Sequence, residues 1–339
     1  MSKKNSSVNL KNGFRNFKDL SNIFYNFKKK LDHLNKKSYT VAVSGGPDSL
    51  ALVALTKAYS YQKKTKFRYV LVDHNIRKNS SKEAKQVKSL IKKHQVNLNI
   101  ILNKHKITSN IQGLARNIRY EILSNYCLRN NIKTILTAHN LEDQVETFFI
   151  RLSRGSGLKG LSSMNITSKI NNRVNVCRPL LDVKKKFLIK ISKNIFGKYF
   201  KDASNKNFKY LRTKVRNLKR PLENSGIKYE KIIKSINNLA SSKATLDSYF
   251  QKIFKDIIKK KKKEILLNLK KFKEFNKEIQ IALISESIKK LKNNYYNPRS
   301  KKIENLIKNI EKTNFKKSTL GGCIFFIKKD YLCLKIEKT

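Results

Sequence analysis

From residue 39 to about residue 181, short β-branched runs alternate with longer stretches of helical periodicity. Tyr39–Ser44 (YTVAVS), Phe67–Asp73 (FRYVLVD), Asn97–Leu102 (NLNIIL) and Lys133–Ala138 (KTILTA) read as strands. Arg173–Leu181 (RVNVCRPLL) reads as a fifth. Between them lie LALVALTKAY, a polar stretch opening at Ser80-Ser81 with Glu83 at capping-box spacing, Gly113–Asn130 and Leu141–Leu152, which read as helices. Strands joined through helices are parallel, and short apolar strands of this kind are buried on both faces. The pattern predicts an α/β domain with a parallel, Rossmann-like sheet.

The flanks differ. Phe17, Leu20, Ile23, Phe24, Phe27 and Leu31 recur near helical spacing in a basic lead segment, residues 1–38. After Asp182 the chain turns helical and very basic, and Pro221 should interrupt or end a helix there. Residues 228–290 read as helical, with the lysine run Lys259–Lys263 as a solvated or RNA-facing strip. Ser300–Lys312 reads as a further amphipathic helix, and Cys323–Ile336 as a hairpin turning at Lys328-Lys329-Asp330. The expected organisation is therefore the lead segment, an α/β domain over 39–220, and a mainly helical part over 221–339 that closes in a β-hairpin.

Composition bears on partners. The 77 Lys and Arg against 23 Asp and Glu give a formal net charge of +54. That excess disfavours a carrier of small acidic ligands as the first reading and favours a polyanionic partner, nucleic acid before an anionic membrane surface. A lysine-coated surface arising from coding bias gives the same count, so charge alone does not decide. No run approaches the ~20 apolar residues of a membrane span, and Met1–Asn16 lacks the apolar core of a secretory signal. Cys127, Cys177, Cys323 and Cys333 form no CxxC pair, which points to a reduced, cytoplasmic setting without a zinc or iron–sulfur site.

The chemistry is concentrated in Ser44-Gly45-Gly46-Pro47-Asp48-Ser49, placed between the first strand and the first helix of the α/β domain. Two glycines let the backbone curl and present N–H groups, two serines add hydroxyls, and the helix N-terminus adds its dipole. A phosphate or pyrophosphate fits such a cradle. The loop is neither GxxxxGK[ST] nor GxGxxG. An aspartate beside phosphates requires an intervening cation, which assigns Asp48 to Mg²⁺. Asp143, Glu146 and Thr147 share one helix face, and Glu142, Asp143 and Glu146 form an acidic cluster in a chain poor in acids. Mg²⁺ or an ammonium group would each relieve its repulsion. Asp143 is the expected second metal ligand, with Glu142 and Glu146 as candidates for structural roles. His74 and Arg77 follow the second strand, where adenine or ribose contacts are expected. Arg116 and Arg119 share a helix face and suit either α-phosphate charge or RNA backbone. His139 suits either a chemical or a structural role. Arg151, Arg154 and Gly155-Ser156-Gly157 read as an RNA-approach loop, and Lys184–Lys186 with Arg212–Arg220 as a basic strip.

The SGGxDS loop resembles the pyrophosphate loop of N-type ATP pyrophosphatases. VDHNIR (72–77), GLARNIRY (113–120), AHNLEDQVETFFIRLSRGSGLKGL (138–161), RPLL (178–181), KDASN (201–205) and LRTKVR (211–216) follow in order. The set resembles the tRNA(Ile)-lysidine synthetase family over roughly residues 39–220, and TLGGCIFFIKKDYLCLKI resembles that family's closing hairpin. The chain departs from the family pattern at Glu142, Ala203 and Thr213-Lys214. The resemblance implies an adenine-nucleotide α-hydrolase-like fold and an ATP-dependent ligase. Such an enzyme adenylates the cytidine at the first anticodon position of tRNA(Ile) with a CAU anticodon and then transfers L-lysine to it. It implies Ser44, Gly45, Gly46, Pro47, Asp48, Ser49, His74 and Arg77 as nucleotide contacts, Asp48 and Asp143 as Mg²⁺ ligands, and Asp48, Asp143 and Arg116 as catalytic. The family is commonly dimeric, so a homodimer is the expected assembly, with no membrane partner. The alternatives are a related tRNA-thiolating enzyme and a non-catalytic basic RNA-binding protein.

Overall fold

The structure, a computed structural model, describes residues 10–337 except 13, 16, 77, 78, 106, 108–110, 171, 172, 201–209, 262, 263, 293–297 and 313. Arg77 and the KDASN segment lie outside the described residues. Packing divides the chain into two compact units, Met1–Ala240 and Ser241–Thr339.

The first unit holds the strands β1 (Ser38–Val43), β2 (Lys66–Asp73), β3 (Leu98–Leu102), β4 (Thr134–Leu136), β5 (Thr167–Ile170) and β6 (Val174–Cys177). They form one sheet in the order β3-β2-β1-β4-β6-β5. Every pairing is parallel except β5 on β6 at the edge. The fifth parallel strand is shorter than its sequence suggests, because Pro179 has no N–H with which to continue the ladder. The chain lays β2 and β3 outward on one side of β1, then returns to place β4 on the other. The connections leaving β1 and β4 therefore diverge, which opens a crevice at the carboxyl edge of the sheet.

Helix α1 (Lys18–Leu34) docks as its periodicity predicts, with Leu20, Phe24, Phe27 and Leu31 between 0% and 5% exposed. Helix α2 (Pro47–Gln62) is apolar all round and is accordingly enclosed, with Leu50–Leu55 fully buried. Helices α3 (Ser80–Lys92), α4 (Ile111–Arg129), α5 (Leu141–Leu152), α6 (Leu158–Leu161) and α7 (Lys185–Phe196) complete the layers, and α7 packs on α2. Then come α8 (Leu211–Asn217) and α9 (Lys219–Asn224). The helix breaks at Leu218, and Pro221 sits in the first turn of α9, where a missing N–H costs little. Helix α10 (Tyr229–Ile257) begins by burying Tyr229, Ile232 and Ile236 against Leu141 and Val145 of α5.

The second unit departs from the helical reading of 228–290. The first three residues of the lysine run, Lys259–Lys261, belong to β7 (Ile258–Lys261), which pairs antiparallel with β8 (Glu264–Asn268). These join the closing strands β9 (Lys317–Leu320), β10 (Cys323–Lys328) and β11 (Tyr331–Ile336) in an antiparallel sheet of order β7-β8-β11-β10-β9. The expected hairpin is present, with Lys329 at φ 50° in its turn, but it is the middle of a larger sheet. The strand character of β8 depends on β11, more than sixty residues later, which no local pattern reveals. Helices α11 (Leu269–Glu274), α12 (Lys277–Leu291) and α13 (Ser300–Ile310) supply the remaining core.

The lead helix is thus part of the first unit's main core. Phe27→Ala should lower the stability to urea unfolding by about 3–5 kcal/mol, the cost of deleting a buried ring whose cavity cannot close. An effect under ~1 kcal/mol would show that α1 is peripheral.

Candidate functional site

The crevice between β1 and β4 is floored by the Ser44–Ser49 loop. Gly45 takes φ 79°, and a Cβ there would stand 2.5 Å from Val87 Cγ2 of α3, so both the backbone angle and the space demand glycine. Gly46 precedes Pro47 at the first helical position, where proline is favoured. The Ser44 N–H donates to Ser49 Oγ at 3.2 Å, the two hydroxyls stand 3.2 Å apart, and Ser49 Oγ donates to the Gly46 carbonyl at 3.0 Å. The loop is thereby closed into a rigid curl at a helix N-terminus, a geometry that receives anions.

Asp48 projects from the first turn of α2. Burial raises its pKa to about 6; Lys185, 3.6 Å away, opposes the shift, and the neighbouring Asp143 adds to it. Its Oδ1 is buried and has no hydrogen-bond partner among the described residues. Asp143 closes a capping box at the start of α5: its Oδ2 accepts the Asn140 N–H at 3.1 Å, and Asn140 Oδ1 accepts the Asp143 N–H at 3.0 Å. Burial pushes Asp143 upward too, Arg212 at 3.1 Å opposes it, and Glu146 adds repulsion.

The other acids are occupied by the chain itself. Glu146 is 3% exposed, and burial alone would raise its pKa. Arg216 Nε and Arg212 Nε each donate to it at 2.7 Å and hold it below the ordinary value instead. Glu142 Oε2 accepts the Lys185 backbone N–H at 2.8 Å, satisfying an orphan donor at the start of α7. Glu142 and Glu146 are thus structural in this arrangement. Arg212 and Arg216, read from sequence as part of a basic strip, turn toward the acids of α5. Their i, i+4 spacing matches the i, i+3 spacing of Asp143 and Glu146, the one sequence signal that could have paired them.

Above the loop, His139 follows β4, with Nδ1 2.9 Å from Thr137 Oγ1. Burial, reinforced by Arg116, Arg178, Arg119 and Arg212, keeps its pKa well below the usual value, so the ring is neutral at pH 7. Arg178, from RPLL, is 8% exposed and donates to the Asn165 carbonyl and to Ser168 Oγ, both at 3.0 Å. Arg116 and Arg119 lie over the Tyr120 ring at 5.1 and 5.6 Å. Arg119 Nε and Arg178 Nε are buried without partners among the described residues. Several guanidiniums gathered without enough acids to match them form an anion site. Arg178, Arg212 and Lys185 were not among the site residues expected from sequence.

His74, expected near adenine or ribose, sits at the carboxyl end of β2. Burial, then Arg119, lowers its pKa, and its Nδ1 has no partner among the described residues. Next to it, Asp73 accepts the Ser81 hydroxyl at 2.6 Å and the Asn75 N–H at 3.0 Å, which outweigh burial and hold its pKa low.

A divalent cation fits this site on two counts. Asp143 lies close enough to Asp48 to add to the upward shift of its pKa, and Asp48 Oδ1 is buried and orphaned among the described residues. Among the described residues no three His, Cys, Asp or Glu side chains converge to hold a metal. Asp48 and Asp143 would then supply two ligands, the remainder being waters and phosphate oxygens, as Mg²⁺ usually takes them.

Comparison with known proteins agrees with this geometry. The PP-loop domain family matches residues 20–222. The chain is 35% identical over 288 residues to a tRNA(Ile)-lysidine synthase of Wolbachia pipientis wMel, covering 84% of this chain and 67% of that protein. It is 33% identical to that of Rickettsia akari, over 88% and 70%. The Orientia tsutsugamushi protein of the same name is 42% identical over 205 residues, covering 58% and 45%. Among solved structures, the U34-tRNA thiolase NcsA from Methanococcus maripaludis with its [4Fe-4S] cluster aligns with a TM-score of 0.55 at 18% identity, over 66% of this chain and 80% of that one, which is a likeness of fold.

Two expectations follow from the buried charges. Because the pKa of Asp48 is higher in the folded chain, about 6 against an ordinary 3.8, the folded state keeps a proton that the unfolded state has released between those values. Asp48 should therefore make stability fall as pH rises from about 4 to 6, by at most about 3 kcal/mol. Asp48→Asn should flatten that slope in urea titrations across pH; an unchanged slope would contradict the assignment. Glu146→Gln leaves two half-buried guanidiniums poorly paired and should cost about 1–3 kcal/mol in the same assay.

Proposed function

The chain belongs to the PP-loop family of tRNA(Ile)-lysidine synthases, and from that premise we propose that it joins L-lysine to C2 of cytidine 34 in the CAU anticodon of tRNA(Ile) at the expense of ATP. It is an ATP-dependent ligase that forms lysidine on tRNA. In our reading the cytidine C2 oxygen attacks the α-phosphorus of ATP, and pyrophosphate leaves. The neutral ε-amine of lysine then adds at C2, the C2–O bond breaks, AMP departs with the oxygen, and the amine gives up a proton. The product pairs with A rather than G, which changes the codon read from AUG to AUA and the identity from methionine to isoleucine.

The observation that carries this reading is the strand–SGGPDS–helix curl beneath an arginine-rich crevice with two neighbouring carboxylates. Ser44, Gly45, Gly46, Pro47 and Ser49 form the pyrophosphate cradle, so the leaving group is oriented before it leaves. Arg116, with Arg119 and Arg178, faces the negative charge that grows on the α-phosphate. His74 and Arg77 contact the nucleoside. Asp48 and Asp143 would hold Mg²⁺, which when bound offsets charge on the phosphates. His139, being neutral, adds nothing to the repulsion among the arginines. Cytidine 34 enters unstacked, as an anticodon loop permits.

The same reading takes residues 39–220 as the catalytic domain, 1–38 as its lead segment and 221–339 as the tRNA-binding part. It also takes a homodimer as the assembly and the cytoplasm as the location. No helix among the described residues is long and apolar enough to cross a membrane.

Separate half-reactions test it. Asp143→Asn should lower kcat for adenylate formation by about 100-fold or more, while tRNA affinity stays within about twofold. Glu142→Gln, which keeps an acceptor for the Lys185 N–H, should change it little. Normal adenylate formation with failed lysine transfer in Asp143→Asn would move Asp143 from the metal to the amine. A second signature needs no turnover: millimolar Mg²⁺ should raise the thermal midpoint of the unaltered chain and not of Asp48→Asn.

A further inference from the structure

In the second unit, one face of the five-stranded sheet is fully employed. Phe325, Leu332, Leu334, Ile265 and Leu267 are all 0% exposed and form a core with residues of α12 and α13. Strand alternation sends their neighbours to the opposite face. A sheet with one solvated face should place polar residues there. Here Ile324 and Phe326 of β10, Leu266 of β8 and Tyr331 of β11 occupy outward positions, each partly exposed and none a member of that core. The lysine excess of the whole chain does not account for apolar and aromatic residues at these sites.

The pairing register arranges this face in rows. One row crosses all five strands as Lys317, Phe326, Cys333, Leu266 and Lys259, apolar in the middle and basic at both ends. Lys259 Nζ lies 5.4 Å from the centre of the Tyr331 ring and donates to its hydroxyl at 3.0 Å. Lys335 Nζ lies 5.3 Å from the centre of the Phe326 ring and 3.7 Å from Glu264, the acid of the adjoining row. Lys328 stands opposite Tyr331 in the register. Flat rings with mobile ammonium groups set over them complement a ligand that combines flat π-faces with regularly spaced negative charge. Single-stranded nucleic acid is that ligand, because every base has a face to stack and every nucleotide a phosphate to pair. A protein partner would need an acidic surface with apolar residues at its centre, and nothing in this face selects for one.

We propose that the outward face of the β7-β8-β11-β10-β9 sheet is an RNA-docking surface, on which unpaired nucleotides of the tRNA lie against Phe326 and Tyr331 while Lys259, Lys317, Lys328 and Lys335 meet the flanking phosphates. This rests on the reading of tRNA as the substrate. It assigns the contact to a particular face of the second unit.

The test uses the full chain and unmodified tRNA(Ile) transcript in two variants. The first, Phe326→Ser with Tyr331→Ser, should raise the tRNA Kd by roughly tenfold or more and leave the ATP Kd, measured without tRNA, unchanged. The second, Lys317→Gln with Lys328→Gln and Lys335→Gln, alters exposed side chains outside the core and so keeps the fold. It should reduce the slope of log K against log salt by about 0.7 for each phosphate that is no longer neutralised. Circular dichroism melting checks both variants. If the unaltered chain binds the transcript and both variants match it in Kd and salt slope, the surface assignment is wrong. It is equally overturned if the variants match it in tRNA binding and instead dissociate a dimer in light scattering. An unaltered chain that fails to bind tRNA at all would sink the substrate reading itself, a different result from either.

Discussion

Everything at the candidate site depends on how this chain accommodates a buried carboxylate. Glu146 is almost completely enclosed, and a lone charge there would cost several kcal/mol of desolvation. Arg212 and Arg216 satisfy both of its oxygens, and Arg212 reaches on to Asp143. One ion cluster thus ties α8 to α5, two elements separated by some sixty residues of chain. It sets the orientation of the helix whose first turn presents Asp143 to Asp48. Glu142 extends the same logic to α7 through the Lys185 backbone, and the Lys185 side chain returns to Asp48. The acids and bases around the loop form a connected set, and none of the four carboxylates is a bare surface charge.

The charge balance of the crevice also explains its chemistry. Arg116, Arg119, Arg178 and Arg212 act together on His139, whereas Glu146 and Glu142, two of the acids nearby, are already engaged by the chain itself. Such a site is strained by its own repulsion until an anion enters, and a triphosphate relieves it. Conversely, burial raises the pKa of both Asp48 and Asp143, and Lys185 and Arg212 only partly oppose it, so a further cation would stabilise the two charges. In the proposed reading, ATP with Mg²⁺ would answer both needs at once, and ligand binding and charge relief would be the same event.

Much of the first unit was legible in the chain. Short, near-continuous apolar strands alternating with apolar helical runs leave few alternatives to a parallel sheet, and Gly45-Gly46-Pro47 marks a strand–loop–helix junction because each residue has a specific backbone reason to be there. Less legible were residues whose role depends on distant partners. Arg212 and Arg216 sit in a segment as basic as any other in a lysine-rich chain, and nothing local tells an inward arginine from an outward one. Arg178 lies just past a short strand and is identified only by the carbonyl of Asn165 and the hydroxyl of Ser168 that receive it. In the second unit Lys259–Lys261 carry no apolar period of their own, so the run reads as helix surface until Glu264–Asn268 folds back on it.

The sequence by itself determined the sheet class, the crevice at its carboxyl edge and the loop that floors it, because those follow from backbone preferences over a few consecutive residues. It also placed Asp48 and Asp143 at the first turns of two helices, where a side chain is committed to the helix N-terminus. Tertiary structure decided which charges neutralise which. It gave Glu146 to the protein's own arginines, left Asp48 Oδ1 without a partner among the described residues, gathered four guanidiniums around His139 and made the closing hairpin the centre of a five-stranded sheet. The reason is one of range: backbone geometry is fixed by neighbours along the chain, whereas the state of a buried charge is fixed by whatever the fold brings within a few ångströms of it.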